Sequence, residues 1–391
     1  MNKIRAIDVY EFKFDVNDLG YDHNRAAIYK PGQTGKISKL AISIETESGS
    51  RGEYVSTWAS PVLAIRQTHA LAALLIGEDA DARELIYDRC KRTLRKFDHI
   101  GYGVIDICLW DLAGKECNAS ISKMLGRYRS DLPAYASTTQ GDPNGGLGSP
   151  EQYADFAEEC LGYGYRGYKI HQHSADPREE AATITAVAQR VGGRMALMSD
   201  PSSEFMTLAD AIYVGKACDE AEFLWYEDPY ADCGTSAFGN RKLKEFVKTP
   251  LLITEHLRGV EPKADFVLAG GTDIVRADPE IDMGITGTMK IAHMAEALGL
   301  DVEVHGAGPA HRQAVASIRN TNFYELGLVH PKAGNPMTPP VYSCGYSDAL
   351  TAVRSDGTFP VPEGPGLGVS YDWAFIEANT LEHRRFDAST I

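Results

Sequence analysis

RMALMSD (194–200), EFLWYE (222–227), PLLITE (250–255), DIVRAD (273–278) and DVEVH (301–305) share one design. Each is a short apolar run that stops on a polar or ionisable residue. GYRGYKIH (164–171) opens the series in the same way. The terminal residues from Asp200 to His305 fall 27, 28, 23 and 27 positions apart. A strand, a crossover helix and their loops need about 25–30 residues, so each interval holds one βα unit. Repeated units of this kind build a parallel sheet. Closed into a barrel, the sheet would bring His171, Asp200, Glu227, Glu255, Asp278 and His305 to one mouth, where barrel enzymes keep their active sites. A doubly wound open sheet is the rival, and it would spread the same residues along an edge.

Before this region the pattern differs. Ile4 to Phe14 alternates roughly, and Leu40, Ile42 and Ile44 alternate strictly, which predicts two strands. Residues 19–36 between them are polar, glycine-rich and aperiodic, which predicts a long loop of the functional kind. From Pro61 to about Leu125 the spacing is helical; Ile105, Cys108, Leu109 and Leu112 share a face.

Composition removes several classes of function. The chain has 391 residues and a net charge of −15, from 39 Lys+Arg against 54 Asp+Glu. That balance disfavours nucleic acid and anionic membrane as partners. No run approaches the roughly 18 apolar residues that a bilayer span needs. The first residues, MNKIRAIDVYEFKF, lack the apolar core of a signal peptide. Seven scattered cysteines without a CxxC pair suit reduced thiols in a cytoplasmic protein and not a thiolate metal site. Gly101-x-Gly103 and Gly306-x-Gly308 lack the rest of a dinucleotide fingerprint, and no phosphate-binding GxxxxGK[ST] loop occurs.

The strand-end residues carry the chemistry. Asp200, Glu227 and Glu255 end three successive strands. Three converging carboxylates repel one another unless a cation joins them. Oxygen-only ligation suits Mg2+, which keeps positions open for substrate. The same cation would supply the positive charge that an acidic protein needs to hold an anionic substrate. Capping of the following helices is the alternative use for such acids. Lys169 and His171 are two apart on a strand and face the same way, so Lys169 would bring a fixed charge and His171 a base. Asp278 and His305 end adjacent strands, and a carboxylate behind an imidazole fixes its tautomer and raises its basicity. Glu325 on these grounds alone reads as a solvated glutamate.

The motifs resemble the enolase superfamily, and within it the mandelate racemase subgroup. MSDPSSEF (198–205), WYEDPY (225–230) and ITEHLRG (253–259) are similar to the metal-ligand segments. VRADPEIDMGITGTMKIAHMAEALGL (275–300) resembles the segment whose Asp partners the catalytic His. VIDICLWDLAGKECNASISKMLG (104–126) and GPGLGV (364–369) resemble the linking helix and the C-terminal signature. The resemblance implies a modified (β/α)7β TIM-type barrel behind an N-terminal α+β capping domain. It divides the chain into a cap (1–131), a barrel (132–345) and a C-terminal segment (346–391) that packs back on the cap. It implies Mg2+ on Asp200, Glu227 and Glu255, a dyad of Asp278 and His305, and Glu325 hydrogen-bonded to a substrate carboxylate. Abstraction of a proton α to a carboxylate, with Mg2+ holding the enediolate, is the superfamily's general chemistry and not a deduction from these residues.

One motif departs. The second barrel strand of the subgroup usually ends Lys-x-Lys; here it ends Lys169-Ile-His171. The polar 19–36 segment, with His23, Arg25 and Tyr29, suits a substrate with many hydroxyls, and His256 follows Glu255 into a loop. The expected function is dehydration of a small acid sugar to a 2-keto-3-deoxy acid. Racemisation, epimerisation or cycloisomerisation with the same metal and dyad is the alternative. A homo-oligomer is expected from the resemblance. A sugar-acid binder without catalysis would be expected to lack a ligand or the dyad, and all are present.

Overall fold

The computed structural model describes residues 2–22, 27–58, 61–231 and 234–390. The chain opens with β1 (Ile4–Tyr21), β2 (Ala27–Thr46) and β3 (Arg51–Val55), an antiparallel meander. Helices α1 (Pro61–Leu75), α2 (Arg83–Thr93), α3 (Gly103–Glu116) and α4 (Ile121–Met124) follow. Leu40, Ile42 and Ile44 on β2 pack with residues of these helices, as strict alternation requires. Their neighbour Ala41 is also buried, in a second cluster with Phe12, Val55, Val341 and Ile376.

The described part of the 19–36 segment is largely strand and not loop. β1 and β2 continue as a hairpin arm, with Val16 opposite Gly35, Leu19 opposite Tyr29 and Tyr21 opposite Ala27. Leu19, Ile37 and Ala27 pack in a small cluster with Phe14 and Val16, but residues 31–34 are exposed, so backbone pairing there builds the arm without the one-sided burial that produces an alternating sequence. His23 and Arg25 lie outside the described residues.

The second half forms an eight-stranded parallel sheet. Its strands are β4 (Asp131–Thr138), β5 (Gly167–His171), β6 (Ala196–Asp200), β7 (Trp225–Glu227), β8 (Leu251–Ile253), β9 (Ile274–Ala277), β10 (Val302–Val304) and β11 (Tyr324–Val329). They run in the order β10-β9-β8-β7-β6-β5-β4-β11. Between them lie α5 (Pro150–Tyr163), α6 (Pro177–Val191), α7 (Leu208–Glu220), α8 (Ala237–Leu243), α9 (Val260–Leu268), α10 (Gly284–Ala297) and α11 (Pro309–Ser317). Ser149, Asp176, Thr207 and Ser236 each accept a backbone N–H at the start of α5, α6, α7 and α8. Tyr135, Met198, Trp225 and Leu252, from four different strands, meet in one buried cluster. Inward side chains from non-adjacent strands can meet only if the sheet curls round, which decides for the barrel over the open sheet. After the barrel, β12 (Thr358–Pro360) pairs with β4, α12 (Trp373–Ala378) packs near Phe12, and β13 (Thr380–Asp387) pairs with β1.

One carboxylate joins cap to barrel. Glu280, just after β9, accepts from Tyr54 Oη at 2.5 Å, Thr57 N at 2.6 Å, Thr57 Oγ1 at 3.0 Å and Trp58 N at 2.9 Å. The Thr57–Trp58 segment is thereby held at the mouth. Close by, α3 starts at Gly103, where an added Cβ would lie 2.0 Å from the Glu280 carbonyl oxygen. Gly103→Ala is therefore expected to cost about 1–3 kcal/mol through overpacking, read as a lower thermal midpoint. An unchanged midpoint would mean that α3 is not seated on this loop.

Candidate active site

Strand period carries Lys169 and His171 to the same side of β5. Lys169 Nζ, fully buried, lies 2.9 Å from Asp200 Oδ2, 2.9 Å from Glu227 Oε2 and 3.1 Å from Glu325 Oε1. Burial works against its charge, but the three carboxylates more than offset that and hold it well above the ordinary lysine range. His171 Nε2 lies 3.0 Å from Asp200 Oδ2. Its Nδ1 donates to the Thr138 carbonyl at 2.9 Å. Nε2 is therefore the nitrogen left to exchange a proton with the cavity. Without a metal, burial lowers this imidazole's pKa, yet Asp200 outweighs that and raises it.

Across the mouth, His305 Nδ1 bonds Asp278 Oδ2 at 2.7 Å, and its Nε2 lies 3.6 Å from Glu255 Oε1. Despite burial, Glu255 and the Asp278 hydrogen bond lift His305 to about 9. Asp278 stays below the usual carboxylate range against its own burial, because His305 and His311 face it. The Trp58 ring stands edge-on to His305, with centroids 4.7 Å apart. His171, Asp200, Glu255 and His305 border one cavity of about 510 Å³.

Glu325 is not solvated. It is buried, pairs with Lys169 and Arg276, and accepts from Gly306 N at 2.9 Å. Arg276 is a functional-site residue that the sequence reading missed. Its Nε lies 2.9 Å from Glu227 Oε1, and its Nη2 lies 2.8 Å from Glu325 Oε2 and 3.2 Å from Tyr135 Oη. A signal existed: Arg276 stands two before Asp278, so the rule that joins Lys169 to His171 also turns Arg276 inward. Arg276→Met is expected to cost about 3–5 kcal/mol in a urea melt, because it leaves the buried Glu227 and Glu325 sharing one cation, Lys169, with Asp200. Arg276→Lys should recover only part of that, since a lysine lacks the planar fork. Parent-like stability in Arg276→Met would mean those carboxylates are neutral.

Asp200, Glu227 and Glu255 end β6 and β7 and follow β8, as the register of the sheet requires. Among the described residues no three acid, imidazole or thiolate groups, these included, already stand close enough together to hold a metal ion. Asp200 and Glu227 lean on Lys169, and Glu227 also leans on Arg276. The donor chemistry nevertheless fits a hard divalent cation. Glu227 Oε1 is buried and makes no aligned hydrogen bond. Burial, reinforced by Asp200 and Glu255, pushes Glu227 up to about 7 even with Arg276 and Lys169 alongside. An added cation would relieve that repulsion.

Of the expected substrate contacts, His256 lines the cavity and bonds Asp228 at 3.3 Å. Tyr29 instead stacks on His330, with centroids 5.0 Å apart, and Tyr21 from the same hairpin arm borders the cavity.

Residues 152–375 match the Enolase C-terminal domain-like family, and residues 32–126 match the Mandelate racemase / muconate lactonizing enzyme N-terminal domain. A D-gluconate/D-galactonate dehydratase from Picrophilus torridus is 26% identical over 85% of this chain and 91% of its own. A D-galactarolactone cycloisomerase from Agrobacterium fabrum is 28% identical over 84% of this chain and 88% of its own. The crystal structure of a D-glucarate dehydratase from Agrobacterium tumefaciens, complexed with magnesium, superposes with a TM-score of 0.83. It is 27% identical, covering 97% of this chain and 99% of the other. No helix among the described residues is long and apolar enough to cross a membrane. The matched domains together with the capped barrel establish that the chain belongs to the enolase superfamily, in its mandelate racemase and muconate lactonizing enzyme branch.

Proposed function

We propose that this chain is a magnesium-dependent hydro-lyase that dehydrates an acid sugar to a 2-keto-3-deoxy acid. The observation that carries the reading is the pair of proton-transfer groups, His171 and His305–Asp278, on far-separated strands around one carboxylate-floored cavity. Similarity to acid-sugar dehydratases supports it. Asp200, Glu227 and Glu255 would hold Mg2+. When bound, Mg2+ supplies Lewis-acid stabilisation of negative charge on the substrate carboxylate.

The chain's own residues supply the rest. His171 Nε2 takes the proton from the carbon α to the carboxylate. The charge moves into the carboxylate as an enediolate, beside the fixed ammonium of Lys169. His305, as imidazolium, protonates the departing β-hydroxyl, so one proton and one hydroxide leave as water. The remaining enol tautomerises to the 2-keto-3-deoxy acid. Glu325, paired with Lys169 and Arg276, accepts rather than donates in this arrangement. Its part is to position the two cations rather than to donate to the substrate.

The same two-sided geometry would also serve epimerisation, because inversion needs a base on each face. A library of mono- and diacid sugars, incubated with Mg2+ and with a chelator, separates the readings. Metal-dependent 2-keto acid is the expected product. Solvent-proton incorporation with inverted configuration and no keto acid would replace dehydration by epimerisation. Full turnover in chelator would remove the metal.

A further inference from the structure

The barrel supplies the carboxylate end of the cavity, and β1, β2 and the β3–α1 connection of the cap supply a different wall. Among the described residues that wall is Tyr21, Ala27, Ile37, Lys39 and Trp58. Ile37 and Lys39 are two apart on β2, so both face the cavity. Lys39 is the one charged group among the described residues of this wall, and it is 5% exposed. Its Nζ donates to the Thr57 carbonyl. Thr57 is itself clamped by Glu280, so the ammonium sits on a fixed support. Lys39 makes no ion pair with a carboxylate among the described residues. Glu280 is near enough to be felt, but its oxygens bond Tyr54, Thr57 and Trp58. Burial draws Lys39 down to about 8, and Glu280 only partly opposes this. A buried ammonium with one neutral acceptor gains strongly from an anion.

We infer that Lys39 recognises a second carboxylate at the end of the substrate away from the metal-site acids, so the preferred substrate is a dicarboxylic sugar acid. The inference rests on the acid-sugar reading above. The wall itself selects between the two kinds of acid sugar. Ala27 and Ile37 offer nothing to a terminal hydroxymethyl group and the Tyr21 hydroxyl can bond either terminus, so Lys39 makes the difference: a neutral group there would leave its charge desolvated without return. A carboxylate removes that mismatch.

The test uses matched pairs that differ only in the terminal group, galactarate with galactonate and glucarate with gluconate, on the Mg2+-loaded protein. Turnover and calorimetric binding are both read. The parent should favour the diacid of a pair in kcat/KM by roughly 10- to 100-fold, the range of a charge-assisted hydrogen bond. Lys39→Gln keeps a donor for the Thr57 carbonyl but drops the charge. It should raise KM for the diacid by about that factor, shift kcat less than about threefold, and leave the monoacid nearly unaffected. Lys39→Arg should retain most of the preference. Parent preference for the monoacids overturns the inference and leaves the dehydratase reading intact. Equal losses on both acids in Lys39→Gln also overturn it, because they mark a structural role. Lys39-dependent diacid binding without any keto acid would sink the dehydratase reading and sustain this one. Neither binding nor turnover of any pair overturns both.

Discussion

Glu255→Gln should lose roughly 10³-fold or more in turnover and keep its stability, whereas Glu227→Gln should lose in both. The two acids have the same proposed task but different surroundings. Glu255 retains 17% side-chain exposure, and its nearest cations are distant: Arg276 Nε at 4.0 Å and His305 Nε2 at 3.6 Å. Removing its charge leaves no close partner stranded. Glu227 is fully buried, with Lys169 and Arg276 both at 2.9 Å. Neutralising it leaves Lys169 with Asp200 and Glu325 and Arg276 with Glu325 alone, a weakening of buried pairs that costs about 1–3 kcal/mol of stability. Each substitution removes one anionic oxygen ligand from the proposed metal site. Lewis-acid stabilisation worth about 4 kcal/mol corresponds to roughly a 10³-fold rate. Steady-state turnover at saturating Mg2+ and urea midpoints separate the two effects. Parent-like turnover of Glu255→Gln with chelator present would remove both the ligand and the metal.

The site's strand-end residues were legible because a parallel barrel turns a one-dimensional spacing into a shared mouth. Lys169 and His171, then Asp200, Glu227, Glu255, Asp278 and His305, all follow from where apolar runs stop. Arg276 and Glu325 were harder to read for a common reason. Both lie inside strands whose other members are apolar, and their burial is possible only because they neutralise each other and Glu227. Pairing across strands leaves no periodic trace of its own, and only the two-residue step back from Asp278 points to Arg276. The hairpin arm was misread for the opposite reason: its strands are defined by backbone pairing, and their exposed faces carry no burial pattern. Lys39 stood in plain sight in an alternating strand, but its wall exists only once β2 is folded against the Thr57–Trp58 segment. Contacts of that kind join distant parts of the chain and are not local properties of either.

Solvent deuterium should enter the substrate α-position with His305→Asn but not with His171→Asn, although both variants should fail to dehydrate. The two imidazoles differ in what stands behind them. His171 Nδ1 donates to the uncharged Thr138 carbonyl, which turns Nε2 toward Asp200 and supports imidazolium less than a carboxylate at that position would. Its one anionic neighbour at Nε2 is Asp200, a proposed Mg2+ ligand, so the counter-charge that favours imidazolium is the one shared with the metal. His305 donates to Asp278 at 2.7 Å, a buried carboxylate outside the proposed ligand set. That partner persists with metal bound and favours the protonated ring. His171 is thereby suited to remove a proton and His305 to supply one. General acid–base groups contribute about 10²–10⁴-fold, so each loss is readable by proton NMR in deuterated solvent. Asp278→Asn should behave as His305→Asn does, because an amide cannot stabilise the imidazolium. The order of events gives the experiment its force. Exchange needs only the first proton transfer, while keto acid needs both. Exchange that persists in His171→Asn and vanishes in His305→Asn would reverse the two roles. Parent-like dehydration in His171→Asn would return that residue to the cavity wall and leave the Lys-x-His strand end without a chemical purpose.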